Sequence, residues 1–147
     1  SRRQRQMCIR DRNLGVFLKV GKVMTELEAR NLNPLSLAYI GDAVYELFIR
    51  TMIFRNLPPN QLNREAKKYV AAYAQADFAE KIMDILSEDE IYFLKRGRNK
   101  KQNTMAKNQS VGDYKIATGV ETLFGYLYIT GKHERMVELL ERGLNEG

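Results

Sequence analysis

Asp42 and Glu121 are carboxylates set among residues that do not suit a charge. Asp42 lies in Ala38-Tyr39-Ile40-Gly41-Asp42-Ala43-Val44-Tyr45-Glu46, within the most apolar run of the chain. Left unpaired there, it would have to neutralise or give up its hydration at a cost of several kcal/mol. Gly41 adds roughly 0.5–1 kcal/mol relative to alanine in a helix interior. Two unfavourable neighbours point to something approaching the backbone closely. No basic residue stands three or four positions away, whereas Glu46, one turn on, shares the face of Asp42. Glu121 repeats the pattern, with apolar flanks, Gly119 before it and Gly125 one turn after it. Gly125 would open space beside the carboxylate. Taken singly, each acid could be a buried salt bridge with an Arg or Lys. Taken together on two packed helices they could converge on one cation, and hard oxygen ligands completed by water suit Mg²⁺.

A second feature is cationic. From Ile91 to Gly112 the chain carries Lys95, Arg96, Arg98, Lys100, Lys101 and Lys107 and no acid, although the net charge of all 147 residues is only +6. Arg2, Arg3, Arg5, Arg10 and Arg12 against Asp11 make a second basic stretch, so the remainder is mildly acidic. One concentrated basic segment on an acidic body suggests a polyanion partner. The alternative is a solvated, charged loop.

These groups need elements to hold them. With 44% hydrophobic residues, 3 Pro and 10 Gly, the chain can bury a core and run long helices. Asn33-Pro34 reads as a helix start, with Asn as cap and Pro where its missing N–H costs nothing. The helix it opens, to Met52 or Ile53, is apolar on more than one face and must be nearly surrounded by protein. A second helix, capped by Asn60, is expected to run to about Met83. Ser87-Glu88-Asp89-Glu90 is a capping box for a short helix ending near Arg96. Gly97 to Gly112 reads as a long loop, followed by helices from about Asp113 to Tyr128 and from Lys132 to Arg142. Val16 to Arg30 is weakly amphipathic. The fold class is all-α, a helical bundle with antiparallel neighbours. Residues 1–20 read as a disordered tail or an appendage, and residues 30–147 as the domain.

Other chemistries are excluded by composition. One Cys (Cys8) leaves no disulfide framework and no Cys-based zinc site, and one His (His133) leaves no multi-histidine centre. His133 is expected at the surface, and the 6 Met and 8 Tyr mostly in the core. No membrane span or secretory signal is apparent, so a cytoplasmic setting is expected.

Ile40-Gly41-Asp42-Ala43-Val44-Tyr45-Glu46 resembles the signature of the ribonuclease III family, and Val120-Glu121-Thr122-Leu123-Phe124-Gly125-Tyr126 its second acidic helix. Lys95-Arg96-Gly97-Arg98-Asn99, the loop after it and the lack of a double-stranded-RNA-binding domain resemble the Mini-III branch. The resemblance spans Asn33 to Gly143. It implies a homodimeric, Mg²⁺-dependent endoribonuclease (Mn²⁺ a possible substitute) that trims double-stranded stems of large-subunit ribosomal RNA precursors, 23S, with a ribosomal protein on the substrate as a possible partner. Asp42 and Glu121 take the catalytic, metal-holding positions. Lys95, Arg96, Arg98, Asn99, Lys100, Lys101 and Lys107 are the expected RNA contacts, with Glu46 and Thr118 as accessory groups. Two further family acids are absent: Leu35 and Thr118 stand in their places, so waters, RNA phosphates or Thr118 would complete the coordination. The rival reading is a non-catalytic RNA-binding or ribosome-assembly module on the same fold. It needs the basic segment but neither acid, and it predicts an Arg or Lys partner for each.

Overall fold

The computed structural model describes residues 23–100 and 110–145, which hold seven α-helices, one 3₁₀ turn and no strand. The helices are α1 (Glu26–Arg30), α2 (Pro34–Ile53), α3 (Pro59–Val70), α4 (Ala72–Ile82), α5 (Glu88–Asn99), α6 (Val111–Ile129) and α7 (His133–Leu144). The basic stretch at residues 1–12, the tail to residue 20, and Lys101 and Lys107 lie outside the described residues. No helix among those described is long and apolar enough to cross a membrane.

Caps set the starts. Asn33 Oδ1 accepts from the Leu35 N–H at 3.0 Å, with Pro34 in the first turn, as its sequence position demands. Ser87 and Glu90 close the expected capping box at α5. Several boundaries differ from the sequence expectation. The helix expected from Asn60 to Met83 is two helices, because Ala71 takes an extended conformation (φ −62°, ψ 152°), and the buried Gln75 side chain donates to the Val70 carbonyl at 3.0 Å across the break. The helix opens at Pro59, not after Asn60. α5 also runs past Arg96 through Gly97 to Asn99, and α6 begins at Val111, with Ser110 Oγ accepting from the Asp113 N–H.

The core is centred on α6. Nearly every residue from Ala117 to Leu127 is buried, with α2, α4, α5 and α7 packed around it. The enclosed helix is therefore α6, not α2 as its apolar composition suggested. α2 buries one face and leaves Tyr39 (82% exposed), Ala43 and Leu47 (46%) uncovered. Beneath Asp42, Tyr45 meets Phe78 of α4 and Phe124 of α6 edge-on, at centroid distances of 5.4 and 5.3 Å. Such edge-to-face contacts hold α2, α4 and α6 in a fixed relation.

Two pairs of glycines set how closely α6 is approached. A Cβ on Gly41 would stand 1.7 Å from the Glu121 carbonyl oxygen, and one on Gly125 1.9 Å from that of Leu37. On the other flank, a Cβ on Gly97 would stand 2.1 Å from Thr122 Oγ1, and one on Gly119 2.7 Å from the Leu94 carbonyl oxygen. Both neighbours thus meet α6 backbone to backbone. His133, expected at the surface, is buried at the first position of α7, its ring tilted against Tyr128 at 5.7 Å. A polar residue after Gly131-Lys132 looked exposed, but α7 turns its start inwards.

Candidate active site

The crossing of α2 and α6 is what brings the two acids together. Gly41 seats α2 on the main chain of Glu121, and Asp42, the next residue, reaches hydrogen-bonding range of the Glu121 carboxyl. Glu121 is half-buried, and burial together with the Asp42 carboxylate pushes its pKa up to about 9. At neutral pH it therefore holds its proton. Neither acid forms an ion pair with a described residue, so the arrangement expected of a non-catalytic module, an Arg or Lys for each, is not what the fold provides.

Two carboxylates pressed together without a counter-charge fit a hard cation, since each metal-ion charge relieves their repulsion. Among the described residues no group of three or more His, Cys, Asp or Glu side chains converges, so protein ligands alone do not complete a coordination shell. Glu46, on the same face, is held by Arg50 at 2.8 Å. Thr118 is buried, and its hydroxyl donates to the Tyr114 carbonyl at 3.0 Å. Both make these contacts within their own helices.

The space beside Glu121 that Gly125 was expected to open is filled by the Leu37 carbonyl, and Gly119 serves α5. Asp42 itself is exposed in the single chain. The desolvation that was expected at Asp42 falls on Glu121, because α2 turns its Asp42 edge outwards beside the uncovered Tyr39 and Ala43.

The basic segment divides into two roles. Lys95, Arg96, Asn99 and Lys100 line one surface groove with Pro34 and Tyr92. Lys95 and Lys100 are exposed, and Arg98 Nε donates to Asn99 Oδ1 at 3.2 Å. Arg96 instead donates to the carbonyls of Arg30 (2.8 Å) and Leu32 (3.1 Å), strapping the segment before α2 to α5. Gly97 was expected to open the long loop. It lies buried inside α5, where its missing side chain admits Thr122. The structural residues missed from sequence are Thr122, whose hydroxyl also reaches the Pro34 carbonyl at 3.3 Å, and Ser110. The Ser110-x-x-Asp113 spacing was a readable cap signal.

The raised pKa of Glu121 predicts a pH effect. The folded chain keeps this proton up to about 9, whereas the unfolded chain releases it near the ordinary 4.5, so stability falls as pH rises through that window. Glu121→Gln removes the penalty. Without metal, the variant is expected to be more stable than the wild type by at least about 1 kcal/mol near pH 8 and equal to it near pH 4. Denaturant unfolding at the two pH values checks this.

Comparison with known proteins agrees with the geometry. The family model "Ribonuclease III domain" matches residues 35–132, a span that includes both acids. "Mini-ribonuclease 3" of Clostridium tetani is 46% identical over 129 residues, covering 86% of this chain and 85% of its own. That of Thermoanaerobacter sp. is 48% identical over 127 residues, covering 85% and 89%. The crystal structure of a Fusobacterium nucleatum protein superposes with a TM-score of 0.71 at 30% identity, covering 80% of this chain and 94% of that one.

Proposed function

Because the chain belongs to the ribonuclease III family and is an endoribonuclease of its Mini-ribonuclease 3 branch, we propose that it cuts double-stranded RNA with Mg²⁺ held by Asp42 and Glu121. The observation that carries this reading is the unpaired acid couple at the glycine crossing, with the Glu121 carboxyl pushed up to about 9. A bound Mg²⁺ supplies a more acidic water and positive charge for the scissile phosphate. Asp42 provides an exposed carboxylate, and Glu121 a second one once its proton leaves. Mn²⁺ fits the same oxygen donors. The trio Tyr45, Phe78 and Phe124 fixes the helices that carry the two acids. The natural substrate in this reading is a stem of the large-subunit (23S) ribosomal RNA precursor in the cytoplasm, and a ribosomal protein bound there would be a partner. The endonuclease unit is residues 30–147.

A-form RNA hides its base edges in a narrow groove, so recognition falls to shape and backbone. Lys95, Asn99 and Lys100 in their groove, with Arg98, support that contact, and Lys101 and Lys107 belong to the same proposal. Replacing Arg98, Lys100, Lys101 and Lys107 together by glutamine is expected to flatten the salt dependence of RNA affinity by roughly 0.7–0.9 log units per lost phosphate contact. An unchanged slope means that these cations do not hold the RNA. A homodimer is the proposed assembly. Tyr39, Ala43 and Leu47 form an uncovered apolar stripe along α2, and cutting both strands requires two sites of opposite polarity. Incubation with a long RNA duplex tests the reading as a whole: cleavage with Mg²⁺ and none with EDTA is expected, and an intact duplex in both would overturn it.

A further inference from the structure

A cleft of about 330 Å³ opens between the end of α3, the outer face of α4 and the end of α7. None of its lining residues belongs to α2 or α6, the helices of the acid pair. Its volume is at the lower end of the roughly 300–1,000 Å³ range of small-ligand sites. The floor is aromatic. The buried Phe78 ring packs closely on α7 because Gly143 has no side chain: a Cβ there would stand 2.2 Å from the ring. Tyr69 and Tyr73 come from either side of the Ala71 break and contribute two more rings, and Tyr73 is 62% exposed with no core to pack on. Two exposed cations, Lys68 and Lys81, and one exposed acid, Asp77, also line the cleft. Lys81 is paired to Asp77 at 3.2 Å, whereas Lys68 forms no ion pair with a described residue.

An exposed tyrosine ring, a half-buried second one and a lysine without an ion pair to a described residue are the chemistry that recognises an unpaired nucleotide: the base stacks and the phosphate meets the cation. A duplex cannot use such a cleft, since its bases are already stacked on one another and its edges are inaccessible. We propose that this cleft binds a nucleoside phosphate unit, as an unpaired nucleotide flanking the duplex or as a free mononucleotide, with the base against Tyr73 and Tyr69 and the phosphate at Lys68. Its RNA form rests on the reading of the chain as a double-strand-cutting enzyme. In that setting the cleft would favour duplexes that carry a single-stranded extension.

The test measures affinity in EDTA, so that no strand is cut, for a blunt RNA duplex, for the same duplex with a short single-stranded extension, and for adenosine monophosphate. The variants are Tyr73→Ala and Lys68→Gln, both at exposed positions where the fold tolerates change. The extended duplex is expected to bind roughly tenfold more tightly than the blunt one, with that preference lost in Tyr73→Ala and reduced in Lys68→Gln. Adenosine monophosphate binding that is lost in Tyr73→Ala, without any preference for the extension, supports the cleft with a free nucleotide as its source. Absence of both, or an extension preference that survives both substitutions, overturns the proposal. Blunt-duplex affinity is the separate measure of the RNA reading, so the two can fail independently.

Discussion

Asp42→Asn is expected to lower the maximal rate of RNA duplex cleavage by at least about 100-fold, while fold and RNA affinity in EDTA stay close to wild type. The direction follows from the site. Asp42 is the acid of the couple that is exposed and close to Glu121 without an ion pair, so no structural partner is orphaned by its loss. Asparagine keeps the shape and removes the charge that, in the proposed metal-assisted hydrolysis, would hold a cation at the scissile phosphate. The loss should appear in the rate at saturating RNA, not in apparent affinity, because the basic groove proposed to hold the RNA is untouched. Turnover within tenfold of wild type would remove Asp42 from the catalytic machinery.

Gly41→Ala is expected to be the most damaging single methyl group in the protein. The added Cβ would stand 1.7 Å from the Glu121 carbonyl oxygen and 2.6 Å from the Gly125 nitrogen, and both are backbone atoms that cannot swing aside. Relief requires α2 and α6 to separate, which opens the packing around Tyr45 and Phe124 and draws Asp42 away from Glu121. A loss of about 3 kcal/mol or more is expected, at the upper end of overpacking costs, with activity reduced even where the chain remains folded. Gly112→Ala is the control. Nothing lies within 4 Å of its added Cβ, and alanine in the first turn of α6 should be neutral or stabilising by roughly 0.5–1 kcal/mol. Equal effects of the two substitutions in thermal unfolding would contradict the close crossing.

How much of this was legible in the sequence depends on which signals are local. Asn33-Pro34 and Ser87-x-x-Glu90 act on their own backbone, and both helices start where those residues dictate. The acid pair was legible because Gly41, Asp42, Glu121 and Gly125 are each unfavourable alone, and an unfavourable residue needs a tertiary reason. What approaches the glycines was not legible. Gly97 and Gly119 look like breaks in the chain or open space, and only the packed fold shows that Thr122 and Leu94 occupy the room they leave. The break at Ala71 has no Gly or Pro to announce it, and its alanine-rich flanks favour a continuous helix. Arg96 sits in a run of cations that reads as solvated, yet its guanidinium binds two carbonyls more than sixty residues away in the chain. The exposure of Asp42 was hidden for a related reason: composition made α2 look enclosed, whereas one of its faces is left uncovered in the single chain.

If Asp42 and Glu121 act as one site for a divalent cation, binding of the ion must release a proton. Glu121 keeps its proton at neutral pH because of burial and the neighbouring Asp42 carboxylate, so a cation can bind both oxygens only by displacing that proton. Calorimetric titration of Mg²⁺ into the protein near pH 7, in two buffers of different ionisation heat, measures the protons released per ion bound. About one is expected for the wild type, and none for Glu121→Gln. Mg²⁺ binding without proton release, or the same release from the glutamine variant, would contradict the account.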